Sequence, residues 1–145
     1  MRAIRRIVIA PTAFKGSLDP VAAAEAMERG VRRVLPDAQT ILQPLADGGD
    51  GMLQCLAYAG VCTQHHHTVS DALGRPHAAP YGISEDGGTG YIEMAQICGL
   101  AQLQERERNP LVTTTFGVGE MIAHLLGLGV RHLVIGLGGS ATNEG

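Results

Sequence analysis

Three glycine-rich loops, residues 11–17, 46–51 and 138–145, contain the side chains whose types and spacing could do chemistry. Each loop follows a short apolar run, and open α/β sheets bind ligands outside the carboxyl ends of their strands. Glycine lets the backbone approach a ligand closely, and the ammonium, hydroxyl and carboxylate groups among the glycines suit a phosphate or a metal-bound phosphate. We therefore expect the three loops to form one phosphate-facing site.

The first loop contains Lys15, the only lysine among 11 basic residues. Its compact, mobile charge suits either a transferring phosphoryl group or a carboxylate. Gly16 allows close approach of the backbone, and Ser17 lies near the start of a predicted helix, where anions bind. The alternative interpretation is a solvated lysine beside a helix cap.

The second loop places Asp47 and Asp50 three residues apart, with Gly48 and Gly49 between them. Asp47 is predicted either to hold Mg²⁺ or to accept a proton from a substrate hydroxyl. Asp50 is predicted either to do the same or to cap the helix that begins near Gly51.

The third loop combines glycines with hydroxyl and amide side chains, which suits phosphate binding; these residues are Gly138, Gly139, Ser140, Thr142 and Asn143. Glu144 is a candidate acidic metal ligand. Gly136, Gly138 and Ala141 also match a variant of the dinucleotide fingerprint, so a nucleotide-binding oxidoreductase domain is an alternative. That match is weak, because the fingerprint should open a helix and be followed by an acid about 20 residues later. The sequence contains no Walker A motif, which excludes a P-loop kinase.

The elements around these loops predict an α/β fold with a parallel, Rossmann-like sheet. Residues 7–10 form a short β-branched strand, and Asp19 with Pro20 marks a helix start. Residues 61–94 contain short strand-like runs separated by turn signals, which predicts an antiparallel section. We assign residues 1–60 to the first part of a Rossmann-like lobe. Residues 61–145 are assigned to the start of a smaller second α/β lobe.

Composition excludes several classes of function. An apolar content of 45% is typical of a globular chain, while a net charge of −3 without a basic run argues against nucleic-acid binding. No segment has the length of a signal peptide core or a membrane span, so we predict a cytoplasmic protein without membrane contact. The run of histidines at 65–67 is interpreted as surface strand residues rather than a metal site, because neighbouring strand residues point to opposite faces.

Taken together, the motifs resemble the glycerate kinase family, an ATP-dependent family without a P-loop. The matching stretches fall in the family's order and span nearly the whole chain; they are residues 10–11, 14–18, 46–51, 73–76, 92–95, 99–100, 109–110, 113–117 and 136–145. The sequence departs from the family pattern at four positions, with Asp50 for Glu, Phe116 for Tyr, Val118 for Thr and Glu144 for Asp.

The resemblance implies a two-lobed α/β enzyme that uses ATP and Mg²⁺ to phosphorylate a hydroxyl of D-glycerate, with 2-phosphoglycerate as the expected product. It implies that Lys15 contacts a phosphate or the glycerate carboxylate. Asp47 would bind Mg²⁺ or polarise the accepting hydroxyl, and Asp50 and Glu144 would be further metal ligands. D-Glycerate is the expected small-molecule partner.

Members of this family are much longer than 145 residues, so we expect an N-terminal portion with the remainder of the second lobe absent and the fold incomplete. An alternative hypothesis is that the chain alone is a catalytically inactive remnant. A strand edge and an apolar face exposed in such a remnant would favour self-association.

Overall fold

The structure is a computed structural model that describes residues 5–143. It confirms the predicted α/β class, and its strands and helices alternate at both ends of the described chain. The elements in order are β1 (Arg6–Ile9), α1 (Pro20–Val34), β2 (Gln39–Leu42), α2 (Met52–Tyr58), β3 (Thr63–Ser70), β4 (Pro76–Ile83), β5 (Thr89–Glu93), α3 (Ala95–Cys98), α4 (Phe116–Gly127) and β6 (His132–Gly136).

Strands β1 and β2 form a parallel pair joined by α1, as the strand–helix–strand pattern predicts. Helix α1 begins as the sequence indicates, because the Asp19 carboxylate accepts a hydrogen bond from the Ala22 backbone N–H (2.8 Å) and Pro20 occupies the first turn. Strand β2 ends at Leu42, and beyond it the backbone N–H groups of Gln43 and Leu45 still donate to the Ile9 and Pro11 carbonyls (2.8 and 2.9 Å).

A four-stranded sheet follows, in the order β3–β4–β5–β6. Its first three strands are antiparallel, as predicted, whereas β5 and β6 pair in parallel. Helix α4 connects β5 to β6 and packs on β3, and the side chains of Ile92, Met121 and Leu125 are fully buried between them. The parallel register aligns Glu93 with Gly136, so both strands end beside the third glycine loop.

The boundary between the two sheets lies near residue 60, but the assignment of residues 1–60 and 61–145 to separate lobes stays a prediction. Helix α3 and the two short 3-10 helices Leu100–Gln102 and Glu105–Glu107 were not predicted. Within residues 5–143, no helix has the length and apolar character that crossing a bilayer would require.

The histidine run adopts an arrangement that strand periodicity alone did not indicate. His67 stacks face to face on His124 of α4, with ring centroids 3.6 Å apart, and His124 is within hydrogen-bond distance of the Tyr81 hydroxyl (3.2 Å). The described residues contain no cluster of three or more His, Cys, Asp or Glu side chains able to hold a metal ion. These histidines therefore join α4 to the sheet.

The stacked pair predicts an acid-sensitive fold. Burial, and after it the charge of His67, lowers the pKa of His124. Because the unfolded chain then binds the proton more readily, this contribution to stability is complete above the ordinary histidine pKa of about 6.5 and is lost as the pH falls below it. Urea unfolding between pH 7.5 and 5 measures the free energy of unfolding. This free energy should fall more steeply with decreasing pH for the wild type than for His124→Gln. His66→Gln, at an exposed position, is the control. An equal pH dependence of the free energy of unfolding in the wild type and His124→Gln would refute the assignment to His124.

Candidate active site

The three glycine loops converge on one cavity of about 470 Å³, a size within the range of small-molecule sites. Predicted residues from every loop line it; these are Lys15, Gly16, Asp47, Gly49, Asp50, Gly138 and Gly139. The cavity thus collects the ends of β1, β2 and β6, which come from two different sheets. Its lining includes one ammonium group and two carboxylates from the predicted set.

Direct backbone packing holds the second and third loops together. The Gly138 N–H donates to the Gly48 carbonyl (3.0 Å). A Cβ added at Gly138 would lie 2.5 Å from Gly49 Cα, and one at Gly136 would lie 2.4 Å from the Gly48 carbonyl oxygen. Glycine is required at these positions because the two backbones touch.

We therefore expect Gly138→Ala to separate the two loops. Overpacking of this kind costs about 1–3 kcal/mol, and here the obstructing atoms are backbone. Gly30→Ala is the matched control, since nothing lies within 4 Å of its added Cβ and alanine favours a helix interior by about 0.5–1 kcal/mol. Urea unfolding of both variants tests this; equal stability of Gly138→Ala and the wild type would contradict the packing.

Asp47 and Asp50 are exposed and line the cavity. Asp47 Oδ1 accepts a hydrogen bond from the Gly49 N–H (3.0 Å), whereas Oδ2 accepts none from residues 5–143. Both Asp50 oxygens would lie within 4 Å of a Cβ on Gly139. Neither acid forms an ion pair within the described chain. Asp50 does not cap α2, because the cap position is Gly51 and no side chain of the loop fills it.

Lys15 is presented by a compact turn. Hydrogen bonds to the Phe14 carbonyl from the N–H groups of Ser17 (2.8 Å) and Leu18 (3.1 Å) close the loop. The Lys15 side chain is exposed and makes no ion pair with residues 5–143, so its charge is available to a ligand. Ser17 lines a smaller adjoining cavity that it shares with Lys15 and Asp50.

The second half of the third loop turns away from the cavity. Gly139 adopts a left-handed conformation (φ +72°), after which Ser140 pairs with Gly99 and the Ala141 N–H donates to the Cys98 carbonyl (3.2 Å). Ser140 Oγ donates to the Leu137 carbonyl (3.1 Å) and lines a separate apolar cavity. Thr142 and Asn143 are absent from the lining of the cavity that the three loops surround, and Glu144 lies outside the described residues. Phosphate binding by Ser140, Thr142 and Asn143 stays a prediction.

Residues 140–143 lack the helical backbone that the oxidoreductase alternative requires after the glycines. A dinucleotide fingerprint opens a helix whose N-terminus receives the pyrophosphate. Residues 140–143 instead form a bridge and irregular backbone.

Glu93, on β5, accepts hydrogen bonds from the end of the second loop and the start of α2. The spacing of Glu93 in an apolar strand is compatible with a solvent-facing position or with a buried acid, and the structure buries it, with 1% of the residue exposed. Its two carboxylate oxygens accept hydrogen bonds from the backbone N–H groups of Gly51 and Leu53 (both 2.9 Å), and Gln96 donates a third bond (3.2 Å). Glu93 thus caps α2 from a neighbouring strand and fixes the end of the loop that carries Asp47 and Asp50.

Replacing Glu93 with Gln should destabilise the fold by about 1–3 kcal/mol, because an amide NH₂ would then face a buried backbone donor. Chemical denaturation measures the difference. Glu85→Gln, at an exposed turn position, should stay within about 0.5 kcal/mol of the wild type. Equal free energies of unfolding for Glu93→Gln and Glu85→Gln would contradict the assignment of Glu93 as the cap of α2.

Arg108 is a charged residue of the cavity that the sequence did not predict. Arg108 follows the 3-10 helix Glu105–Glu107 and lines the cavity together with Leu100 and Ala101. Its neighbours alternate acidic and basic residues, a pattern typical of a solvated surface. Only the tertiary fold brings this segment to the loops, through the hydrogen bond from the Leu100 N–H to the Gly139 carbonyl (2.8 Å).

Comparison with known proteins identifies relatives of this chain. Residues 7–145 match the sequence profile of the Glycerate kinase family. The chain is 44% identical over 140 residues to the glycerate 2-kinase of Escherichia coli K12, and 46% identical over 140 residues to the glycerate kinase of Bacillus subtilis 168. Both alignments cover 97% of this chain and 37% of the relative.

A solved structure assigned as glycerate kinase 2 of Salmonella typhimurium LT2 matches with a TM-score of 0.75 and 45% sequence identity. That alignment covers 97% of this chain and 38% of the solved chain. The chain therefore spans a little over a third of the length of the relatives it matches.

Proposed function

The chain belongs to the glycerate kinase family, and we propose that the protein containing it transfers the γ-phosphoryl group of ATP to a hydroxyl of D-glycerate. One observation supports this most directly. Three loops that are remote in sequence surround a single cavity. They bring to it four glycines, one ammonium group and two carboxylates, and these charged groups form no ion pair within residues 5–143. Phosphoryl transfer needs mainly positioning and charge stabilisation, which such a cavity supplies.

The phosphate groups of ATP fit the glycine-rich side of the cavity. Gly16, Gly138 and Gly139 lack side chains that would keep a phosphate from the backbone. Lys15 adds a mobile positive charge that can follow the transferring group. We assign Lys15 to the phosphoryl group for this reason.

The residues present also fit a magnesium ion. Mg²⁺ in phosphoryl-transfer sites is commonly held by one or two carboxylates together with substrate phosphates, so it does not require a cluster of three protein ligands. Asp50, beside Gly139, is the residue best placed to hold it, with Glu144 as a further predicted ligand. When bound, the ion neutralises negative charge on the phosphates.

Asp47 has one carboxylate oxygen that accepts no hydrogen bond from the described residues, and we assign it to the accepting hydroxyl. It would orient that hydroxyl and take its proton as the oxygen attacks phosphorus. If Asp47 held Mg²⁺ instead, excess Mg²⁺ would restore part of the activity of Asp47→Asn. Phosphorylation at the 2-hydroxyl, giving 2-phosphoglycerate, is the outcome that we propose.

The proposal is tested by ADP release from ATP, coupled to NADH oxidation, with and without D-glycerate. We expect release that requires both D-glycerate and Mg²⁺. Release that is independent of D-glycerate would contradict the assignment of the acceptor.

Self-association stays a proposal of its own. Strand β6 lies at an edge of the four-stranded sheet, and Val134 and Leu137 near it are 45% and 68% exposed. Exposed edges with apolar side chains favour pairing with another chain. Light scattering across a range of concentrations measures this directly.

A further inference from the structure

Arg108 enters the cavity from a segment that is not one of the three glycine loops. It lies on the wall formed by Leu100 and Ala101, whose side chains offer no polar group. Among the described residues that line the cavity, Arg108 and Lys15 are the two that carry positive charge. A ligand with two separate anionic groups could therefore place one group beside Lys15 and the other beside Arg108.

The backbone at Arg108 is fixed by neighbouring charges. Arg75 pairs with Asp71 (2.6 Å) and with Glu107 (2.9 Å), which ties the 3-10 helix to the turn between β3 and β4. Glu107 also accepts a hydrogen bond from the Gln104 N–H (3.1 Å). The position from which the Arg108 side chain extends is thus set by side chains outside the cavity.

The guanidinium of Arg108 is only partly used by the protein. Its Nε donates to the Leu103 carbonyl (3.4 Å), while its two terminal nitrogens form no hydrogen bond or ion pair with residues 5–143. Those two nitrogens present parallel N–H groups, the geometry that binds a carboxylate through both oxygens. The side chain is exposed, so a ligand in the cavity can reach it.

An acceptor carboxylate needs such a partner in this cavity. Asp47 and Asp50 repel it, and the charge of Lys15 is assigned to the transferring phosphoryl group. We propose that Arg108 binds the carboxylate of the acceptor, so that the site selects a hydroxy acid over an uncharged polyol. This inference rests on the proposed function and names the residue that determines the class of acceptor.

The test compares Arg108→Gln and Arg108→Lys with Arg106→Gln. Arg106 is the matched control, because it lies on the 3-10 helix that precedes Arg108 and does not line the cavity. Initial rates are measured with D-glycerate, ATP and glycerol varied in turn. Loss of a charge-assisted bond should raise the KM for D-glycerate about 10- to 100-fold in Arg108→Gln, leaving the KM for ATP within about 2-fold. The preference for D-glycerate over glycerol, as a ratio of kcat/KM, should fall by the same factor.

Arg108→Lys keeps the positive charge but lacks the parallel N–H groups of the guanidinium, so its KM for D-glycerate should be intermediate. Arg106→Gln should match the wild type. An unchanged KM for D-glycerate in a folded Arg108→Gln would overturn the inference, as would a rise confined to the KM for ATP.

If the wild type releases no ADP with D-glycerate, the proposed function fails independently. Calorimetric titration with D-glycerate then decides the inference. A 10- to 100-fold weaker Kd in Arg108→Gln would support it, whereas equal affinities or no binding by the wild type would overturn it.

Discussion

Asp47→Asn is expected to lower kcat for D-glycerate phosphorylation about 10²- to 10⁴-fold, the range lost when a positioned proton acceptor is removed. The substitution is nearly isosteric, and the asparagine carbonyl can still accept the hydrogen bond from the Gly49 N–H. The loop should therefore keep its shape while the negative charge disappears at Oδ2, which accepts no hydrogen bond from residues 5–143. Steady-state rates with ATP and D-glycerate provide the measurement.

Asp37→Asn is the matched control, because Asp37 is an exposed acid remote from the cavity lining. It should retain wild-type turnover. Near-wild-type turnover of Asp47→Asn would show that the carboxylate does not act on the accepting hydroxyl or on a metal-bound phosphate.

Lys15→Ala is expected to reduce kcat/KM about 10²- to 10³-fold, because it removes the mobile cation assigned to the transferring group. Lys15→Arg should recover only part of this loss, because a planar guanidinium group does not replace a compact ammonium group. Arg29→Ala, an exposed cation on α1 outside the cavity lining, should remain within about 2-fold of the wild type.

The composition of the chain permits a second test of Lys15 that does not depend on turnover. Lys15 is the only lysine in these 145 residues, so among their amines an acylating reagent reacts with this side chain and the N-terminal amine. Peptide mass spectrometry should show that Mg²⁺-ATP slows acylation of Lys15 while the N-terminus reacts as before. Equal acylation rates with and without ATP would contradict a role for Lys15 at the phosphates.

Local features of the fold were predictable because short-range physics controls them. Asp19 and Pro20 mark the start of α1 in the sequence, and the side-chain cap in the structure is the one expected. The glycine loops were predictable for a similar reason, since strand ends followed by Gly, Asp and Lys form a recognisable chemical pattern. Their convergence on one cavity follows from the general rule about strand ends.

Long-range placement explains what the sequence did not reveal. Glu93 has the spacing of a surface strand residue, and only the pairing of β5 with β6 buries it beneath the loop that ends at Gly51. Arg108 reaches the cavity because the segment before it bonds to Gly139 and because Arg75 holds Glu107. The turn of Ser140 away from the cavity likewise depends on Gly99, 41 positions earlier in the chain. None of these contacts has a local sequence signal.

We propose that the three loops form one site for phosphoryl transfer to D-glycerate, and ³¹P NMR of the reaction tests this transfer most directly. Incubation with Mg²⁺-ATP and D-glycerate should convert the γ-phosphate signal of ATP into a phosphomonoester coupled to a single carbon-bound proton, as in 2-phosphoglycerate. A γ-phosphate signal that persists, or that becomes inorganic phosphate without a glycerate phosphomonoester, would contradict the account.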